Sequence, residues 1–106
     1  MMCAVTVRQL RPGSYERFRD AWEPTPWPEQ LVRAIVSRNE QEPDQVLTVS
    51  FFDVHPSELE LLRDEPELLN AEDRRLARIV EFEEAVVFKG IFEVAEELVA
   101  PSEQTG

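Results

Sequence analysis

The chain is poor in the side chains that build metal sites and disulfides. Among its 106 residues there is one cysteine, Cys3, and one histidine, His55. A single cysteine cannot form an intrachain disulfide. With one histidine it also cannot supply the four ligands of a structural zinc site or hold an iron–sulfur cluster. We therefore predict that the protein has no metal site and that Cys3 is a buried, inert residue of a strand.

Basic residues and long apolar runs are also scarce. The chain has 11 Lys and Arg residues against 22 Asp and Glu residues, which gives a formal net charge of −11. Nucleic acids and anionic membranes bind positive surfaces, so this balance argues against both as partners. No signal-like segment or run of about 18 apolar residues occurs. We predict a cytoplasmic protein with a single domain over residues 1–99 and a disordered tail over residues 100–106.

Alternating side chains predict four strands. The strands cover residues 3–10, 31–38, 45–53 and 84–96, where apolar residues recur at every second position. The first three strands carry apolar side chains on both faces. A sheet with one solvated face should instead be polar at every second position. The pattern therefore indicates that both faces of the sheet are covered, one of them by a partner.

The first helical region follows the first strand. Ser14 is a suitable N-cap, and Pro24 ends the helix because the residue before a proline avoids helical angles. Tyr15 and Trp22 belong to one apolar stripe of this helix. The connector that follows contains three prolines, which predict an extended, stiff crossover that places Trp27 over the core.

The second helical region has a capping box at its start. Ser57 is the predicted N-cap, and Glu60 is the residue three positions later that completes the box. A second helix-start signal, Asp64 followed by Pro66, predicts a break. We expect a short helix before the break and a longer helix after it that reaches about residue 82.

Glu72 occupies an unusual position on the longer helix. At about 100° per residue it falls inside the apolar arc, and Arg75 lies one turn later at the edge of that arc. One interpretation is a partly exposed ion pair between Glu72 and Arg75. The other is a desolvated carboxylate that faces a cavity between the helix and the sheet.

The order of elements predicts an α+β fold. Strand, helix, strand, strand, helix, strand gives the ferredoxin-like βαββαβ arrangement, a four-stranded antiparallel sheet with both helices on one face. The other face is then bare and apolar. The simplest cover is a second copy that packs sheet against sheet about a two-fold axis. The alternative is that the acidic C-terminal segment folds back over this face.

Two local motifs accompany this layout. One is the approach to the first helix, which contains Pro12, Gly13, Ser14 and Phe18. The other is the third strand, which runs through Phe51, Phe52 and Asp53 into a capped helix. Together with the chain length, these features resemble the dimeric α/β-barrel superfamily, and within it the antibiotic-biosynthesis-monooxygenase-like domains. The resemblance covers nearly the whole chain and implies a homodimeric α/β barrel.

The resemblance also bears on cofactors. The haem-degrading branch of the family has an Asn on strand one and a Trp and a His on helix two. This chain has Gln9 on strand one and neither Trp nor His over residues 57–82, so no haem and no other cofactor is expected. The cofactor-independent oxygenases surround an aromatic substrate with Asn, Trp, Tyr and Arg side chains. Residues of three of these types are present at Tyr15, Trp22, Trp27 and Arg33.

A pocket is expected between the sheet and the helices. The predicted ligand-binding residues are Tyr15, Trp22, Trp27 and Arg8, and the predicted catalytic residues are Glu72, His55 and Arg33. In the first hypothesis the protein is a cofactor-independent monooxygenase-like enzyme that acts on a small aromatic or polyketide-like compound. Glu72 or His55 is then the base, and Arg33 stabilises negative charge. In the second hypothesis the protein is a non-catalytic homodimeric module that binds a small apolar ligand or only builds an assembly.

Overall fold

The computed structural model describes residues 1–101, except for the side chain of Arg63. The strands β1 (Met2–Leu10), β2 (Leu31–Arg38), β3 (Gln45–Phe52) and β4 (Glu83–Glu93) form one antiparallel sheet in the order β2-β3-β1-β4. The helices are α1 (Tyr15–Trp22), α2 (Pro56–Arg63) and α3 (Pro66–Ile79), and a 3-10 turn (Val80–Phe82) follows α3. The predicted ferredoxin-like architecture is confirmed, including the break between the second and third helices. The predicted disordered tail lies outside the described residues from position 102 onward.

The core lies between the sheet and α1. Its buried side chains come from β1, α1, β3 and α3, and they are Leu10, Phe18, Trp22, Val46 and Ile79. Strand residues alternate between faces, so Leu10 of β1 and Val46 of β3 mark the side of the sheet that carries the helices. We call this side the helix face. On β1 the helix face includes Thr6 and Arg8, which lie four and two positions before Leu10 and are also buried.

The long helix α3 packs on the rest of the molecule mainly at one end. Its buried residue is Ile79, in the last turn, and the helix contacts α1. Near its N-terminal end, Leu69 is exposed. Leucines of α2 and of the first turn of α3 line a space that the sheet bounds on its other side.

The second side of the sheet, which we call the open face, is apolar. Opposite residues of antiparallel strands share a face, and the row Ile35, Val49, Val5 and Gly90 crosses the whole sheet. The apolar side chains of the open face are half-buried or exposed: Cys3, Val5, Val7, Ile35, Leu47, Val49, Phe51, Phe88 and Phe92. Cys3 is therefore only half-buried in a single chain, because the face it belongs to is uncovered, and the prediction of a buried thiol is wrong for the single chain.

The C-terminal segment does not supply the missing cover over the residues that are described. Leu98 and Val99 are 85% and 80% exposed, so their apolar side chains make little contact with the rest of the chain. Residues 94–101 therefore do not fold back over the open face, which was the alternative prediction for the acidic C-terminal segment. Residues 1–101 of a single chain therefore leave the open face uncovered.

Gly90 lies in the middle of β4 because two aromatic rings close over it. The rings of Phe88 and Phe92 are stacked, with their centroids 6.1 Å apart. A Cβ atom at Gly90 would come within 3.1 to 3.3 Å of atoms of these rings. The register shifts between β1 and β4 occur at Val7/Arg8 and Gln9/Leu10 instead. The glycine thus makes room for an aromatic pair on the open face.

Two local predictions need correction. The connector does not place Trp27 over the core, because its side chain is 48% exposed. The capping box at Ser57 is also wrong. Pro56 is the first residue of α2, and the N-cap is His55, whose Nδ1 accepts a hydrogen bond from the Ser57 backbone N–H at 3.2 Å. A proline is well suited to the first helical position, so the helix begins earlier and Ser57 lies inside it.

Candidate functional site

A cavity of about 350 Å³ lies between the helix face of the sheet and the helices. This volume is near the lower end of the roughly 300–1,000 Å³ that is typical of small-molecule sites. Leucines of α2 and α3 form one wall, and the proline connector forms another. The main apolar lining residues are Trp22, Leu31, Phe52, Leu59, Leu62 and Leu68. The space that α3 leaves above the sheet is therefore suited to a small apolar molecule.

Arg8 is the central polar residue of this cavity. It lies on the middle strand β1 and is only 5% exposed. Its Nε donates to Glu83 Oε1 at 2.8 Å, and its Nη1 donates to Thr48 Oγ1 at 3.0 Å. The guanidinium carbon lies 5.5 Å from the centroid of the Phe18 ring. A buried cation needs such partners, because an isolated charge would be expensive to remove from water.

The guanidinium of Arg8 carries its positive charge at the cavity. Burial lowers the pKa of Arg8, and the neighbouring Glu83 carboxylate opposes that shift. Arginine nevertheless stays protonated in proteins near neutral pH. Hydrogen bonds to the described residues engage Nε and Nη1. No hydrogen bond from Nη2 is found among the described residues, and none of their buried side-chain nitrogens lacks a partner, so Nη2 is accessible rather than sealed in the core.

Glu72 and Arg75 form the second polar pair at the cavity. Arg75 donates from Nε to Glu72 Oε2 at 3.0 Å and from Nη2 to Glu72 Oε1. The guanidinium carbon of Arg75 lies 5.4 Å from the centroid of the Trp22 ring. The Glu72 side chain is 49% exposed and lines the cavity. The structure agrees with the first interpretation, a partly exposed ion pair, and places this pair at the edge of the cavity.

Of the predicted site residues, Arg8, Trp22 and Glu72 come together around the cavity. His55 and Arg33 are not among the residues that line it. His55 is exposed at the start of α2, with its Nδ1 2.8 Å from Ser57 Oγ. Arg33 lies on the opposite side of the sheet, with its guanidinium carbon 5.7 Å from the centroid of the Phe51 ring. Two predicted catalytic residues are therefore separated from the third.

The two remaining predicted ligand-binding residues also lie away from the cavity. Tyr15 packs against the core beneath Arg38, whose guanidinium carbon is 4.1 Å from the centroid of its ring. Trp27 belongs to the connector, whose prolines line the cavity while the indole does not. Of the predicted aromatic residues, Trp22 is the one that the fold places at the cavity.

Several polar residues of the site were not predicted from the sequence. Thr6, Thr48 and Lys89 line the cavity, and Glu83 holds Arg8 from outside the lining. Strand alternation could have predicted Thr6, because Thr6 and Arg8 lie on the same side of β1 as the core residue Leu10. The signal for Lys89 becomes clear only with the register, which places it opposite Thr6.

The described residues contain neither a cluster of metal-ligating side chains nor a helix suited to span a membrane. Over residues 1–101, no three His, Cys, Asp or Glu side chains lie close enough together to hold a metal ion. None of the helices in this range combines the length and hydrophobicity that a membrane span requires.

Comparison with known proteins gives the class of fold. No protein-family model matches the sequence, and no curated protein matches it. Solved structures do match. A candidate antibiotic biosynthesis monooxygenase from Chloroflexus aurantiacus J-10-fl has a TM-score of 0.65 at 13% identity, with 93% of this chain and 98% of that chain covered. A mutant of SnoaB, a cofactor-independent oxygenase from Streptomyces nogalater, also gives a TM-score of 0.65, at 14% identity over 92% of this chain and 95% of that chain.

The fold is shared more widely than one activity. An uncharacterized NIPSNAP domain protein from Burkholderia xenovorans gives a TM-score of 0.59 at 14% identity, with 94% of this chain and 100% of that chain covered. The matches show that the chain has the fold of the antibiotic-biosynthesis-monooxygenase-like domains, which belong to the dimeric α/β-barrel superfamily. At this level of identity they define the fold, and the activity has to be argued from the site.

Proposed function

We propose that the cavity is the active site of a cofactor-independent monooxygenase-like enzyme that acts on a small aromatic or polyketide-like compound. One observation carries the proposal. A cavity with apolar walls has a buried, permanently charged guanidinium, that of Arg8, in its lining. An aromatic body fits such walls, and a developing oxyanion is stabilised by a cation in a water-poor site. The structural similarity to a cofactor-independent oxygenase supports the reaction class.

The proposed chemistry uses dioxygen as the oxidant. A substrate whose acidic CH₂ group is conjugated with a carbonyl, directly or through aromatic rings, loses a proton to the Glu72 carboxylate and becomes an enolate. The enolate oxygen accepts a hydrogen bond from Arg8, while Trp22 and the leucines hold the ring. The enolate then reduces O₂. In the overall reaction the CH₂ group becomes C=O, one oxygen atom of O₂ enters the product, and the other leaves as water.

A second candidate function is non-catalytic ligand binding. The observation that favours it is the bidentate contact between Arg75 and Glu72. A carboxylate whose two oxygens both accept hydrogen bonds from a guanidinium is less free to take a proton from a substrate, and His55 does not line the cavity. In this alternative the cavity holds the same class of small apolar compound without changing it.

We also propose that a second copy of the chain covers the open face. The support comes from the apolar row that crosses the sheet from Ile35 to Val5 and from the exposed Phe88 and Phe92 on the edge strand. An apolar face of this extent is characteristic of an interface. A two-fold axis lets identical faces cover each other, as the fold class implies.

Oxidation of anthrone tests the enzymatic function. Anthrone has an acidic CH₂ beside a fused aromatic system, and its conversion to anthraquinone consumes one O₂ and releases one water. We expect the protein to accelerate O₂ uptake above the spontaneous rate. We expect Glu72→Gln to lower kcat by about 100-fold, the usual loss for a general base. Glu67→Gln is the matched control, because Glu67 lies in the first turn of the same helix and does not line the cavity.

The outcomes separate the two candidates. Saturable O₂ uptake that depends on Glu72 supports the enzyme. Binding of anthrone without acceleration supports the non-catalytic module. Equal rates for the Glu72→Gln and Glu67→Gln variants would contradict the role of Glu72 as the base.

A further inference from the structure

The charge around the cavity is opposite to that of the chain. The chain carries a formal charge of −11, yet cationic side chains predominate among the residues that line the cavity. The cations are Arg8, Arg75, Arg78 and Lys89, and the carboxylate is Glu72. Four of the 11 basic residues line the cavity against one of the 22 acidic residues, and this local excess of positive charge attracts anions.

The ion pairs of these residues do not neutralise all the positive charge at the cavity. Glu83 neutralises Arg8, and Glu72 neutralises Arg75. Arg78 donates from Nε to the backbone carbonyl of Ala21 at 3.3 Å, which does not compensate its charge. Lys89 forms no salt bridge with any side chain that the structure describes. Two cations at the cavity are thus without a carboxylate partner.

Lys89 is the better placed of the two to bind an anion. Its register partner is Thr6 of β1, which is buried on the helix face two residues before Arg8. Lys89 therefore extends from the neighbouring strand on the same side as the Arg8 guanidinium. A lysine ammonium is a compact charge on a flexible stem, and a guanidinium offers planar donors. A carboxylate is an acceptor that both groups can bind.

We propose that the natural ligand of the cavity is a small apolar carboxylate. Its carboxylate accepts hydrogen bonds from Lys89 and Arg8, and its apolar body lies against Trp22 and the leucines of α2 and α3. This inference rests on the proposed function, because it takes the cavity to be the ligand site. It goes beyond that function by assigning the ligand a permanent negative charge, which a neutral aromatic ligand lacks.

A pair of probes that differ only in charge tests the proposal. 2-Naphthoate and 2-naphthamide share the same ring system, and the amide is the neutral counterpart of the acid. Their affinities are measured by isothermal titration calorimetry at pH 7, where the carboxylate is ionised. We expect the acid to bind about tenfold more tightly than the amide, since a charge-assisted hydrogen bond contributes about 1.5 kcal/mol or more.

Variants of Lys89 test whether this residue causes the preference for the acid over the amide. We expect Lys89→Gln to bring the affinities for acid and amide to within about twofold, and Lys89→Arg to retain most of the preference. Arg74→Gln is the control, because it makes the same change in net charge at an exposed residue of α3 that does not line the cavity. Lys89 is itself exposed, and circular dichroism verifies that each variant is folded.

Each result decides a different claim. Equal affinities of the wild-type protein for acid and amide overturn the carboxylate inference and leave the proposed function standing. If the wild-type protein prefers the acid and Lys89→Gln keeps the full preference, the proposed contact between Lys89 and the carboxylate is overturned. Failure of both probes to bind the wild-type protein contradicts the ligand site itself and overturns the proposed function together with this inference.

Discussion

The Val49→Asp variant is expected to be a monomer, whereas the wild-type protein is expected to be a dimer. Val49 lies in the centre of the open face, between Val5 and Ile35 of the flanking strands. In a dimer that covers this face, the new carboxylate would be buried without a partner, which costs several kcal/mol. In a monomer the same carboxylate stays hydrated, because the face is open to solvent.

Light scattering after gel filtration measures the difference. The wild-type protein should give a mass near twice 12.3 kDa, and Val49→Asp should give a mass near 12.3 kDa. Leu61→Asp is the matched control. It makes the same change in charge and hydrophobicity at a side chain of α2 that is 74% exposed, so it should remain a dimer. A wild-type monomer at micromolar concentration, or a dimeric Val49→Asp, would refute the covering of the open face by a second copy.

Replacing Arg8 with Met should lower the free energy of unfolding by about 3 kcal/mol, the usual cost of removing one partner of a buried ion pair. Methionine fills a similar length of space but cannot pair with Glu83. The Glu83 carboxylate and the Thr48 hydroxyl would both lose the hydrogen bonds that Arg8 now makes. The variant should also lose affinity for anionic ligands, because the central cation of the cavity is gone.

Urea denaturation of a small set of variants separates burial of charge from loss of an ion pair. The double variant Arg8→Met with Glu83→Gln should recover part of the lost stability, because it removes the unpaired charge. Arg19→Met is the control. It breaks an exposed pair with Glu23, 2.9 Å apart on α1 and its C-cap, and should cost less than about 1 kcal/mol. Equal losses of unfolding free energy in Arg8→Met and Arg19→Met would show that the buried pair of Arg8 and Glu83 stabilises the fold no more than an exposed pair does.

The predictable part of the fold rests on local patterns. Alternation places the strands, and Pro66 marks the start of the third helix in agreement with the structure. The helical period places Glu72 toward the sheet, and the strand parity of Arg8 places it on the same side as Leu10. These residues were found because the position of each is determined by its own element.

The unpredictable part of the site depends on how distant elements dock. Arg8 and Glu83 are 75 positions apart, and no local pattern pairs them. Lys89 reaches the cavity through the register of β4 on β1. The cavity itself is lined by residues of the sheet, the proline connector and the helices, which are distant from one another in the sequence. Arg33, by contrast, has the type that the family resemblance requires, but its strand parity turns it to the open face.

The most direct test of the account is a crystal structure of the protein with 2-naphthoate bound. We expect the naphthalene ring to lie in the cavity between Trp22 and the leucines of α2 and α3, with the carboxylate within hydrogen-bonding distance of Arg8. Density for the ring on the open face of the sheet, or an empty cavity in crystals saturated with the probe, would contradict the assignment of the cavity as the functional site.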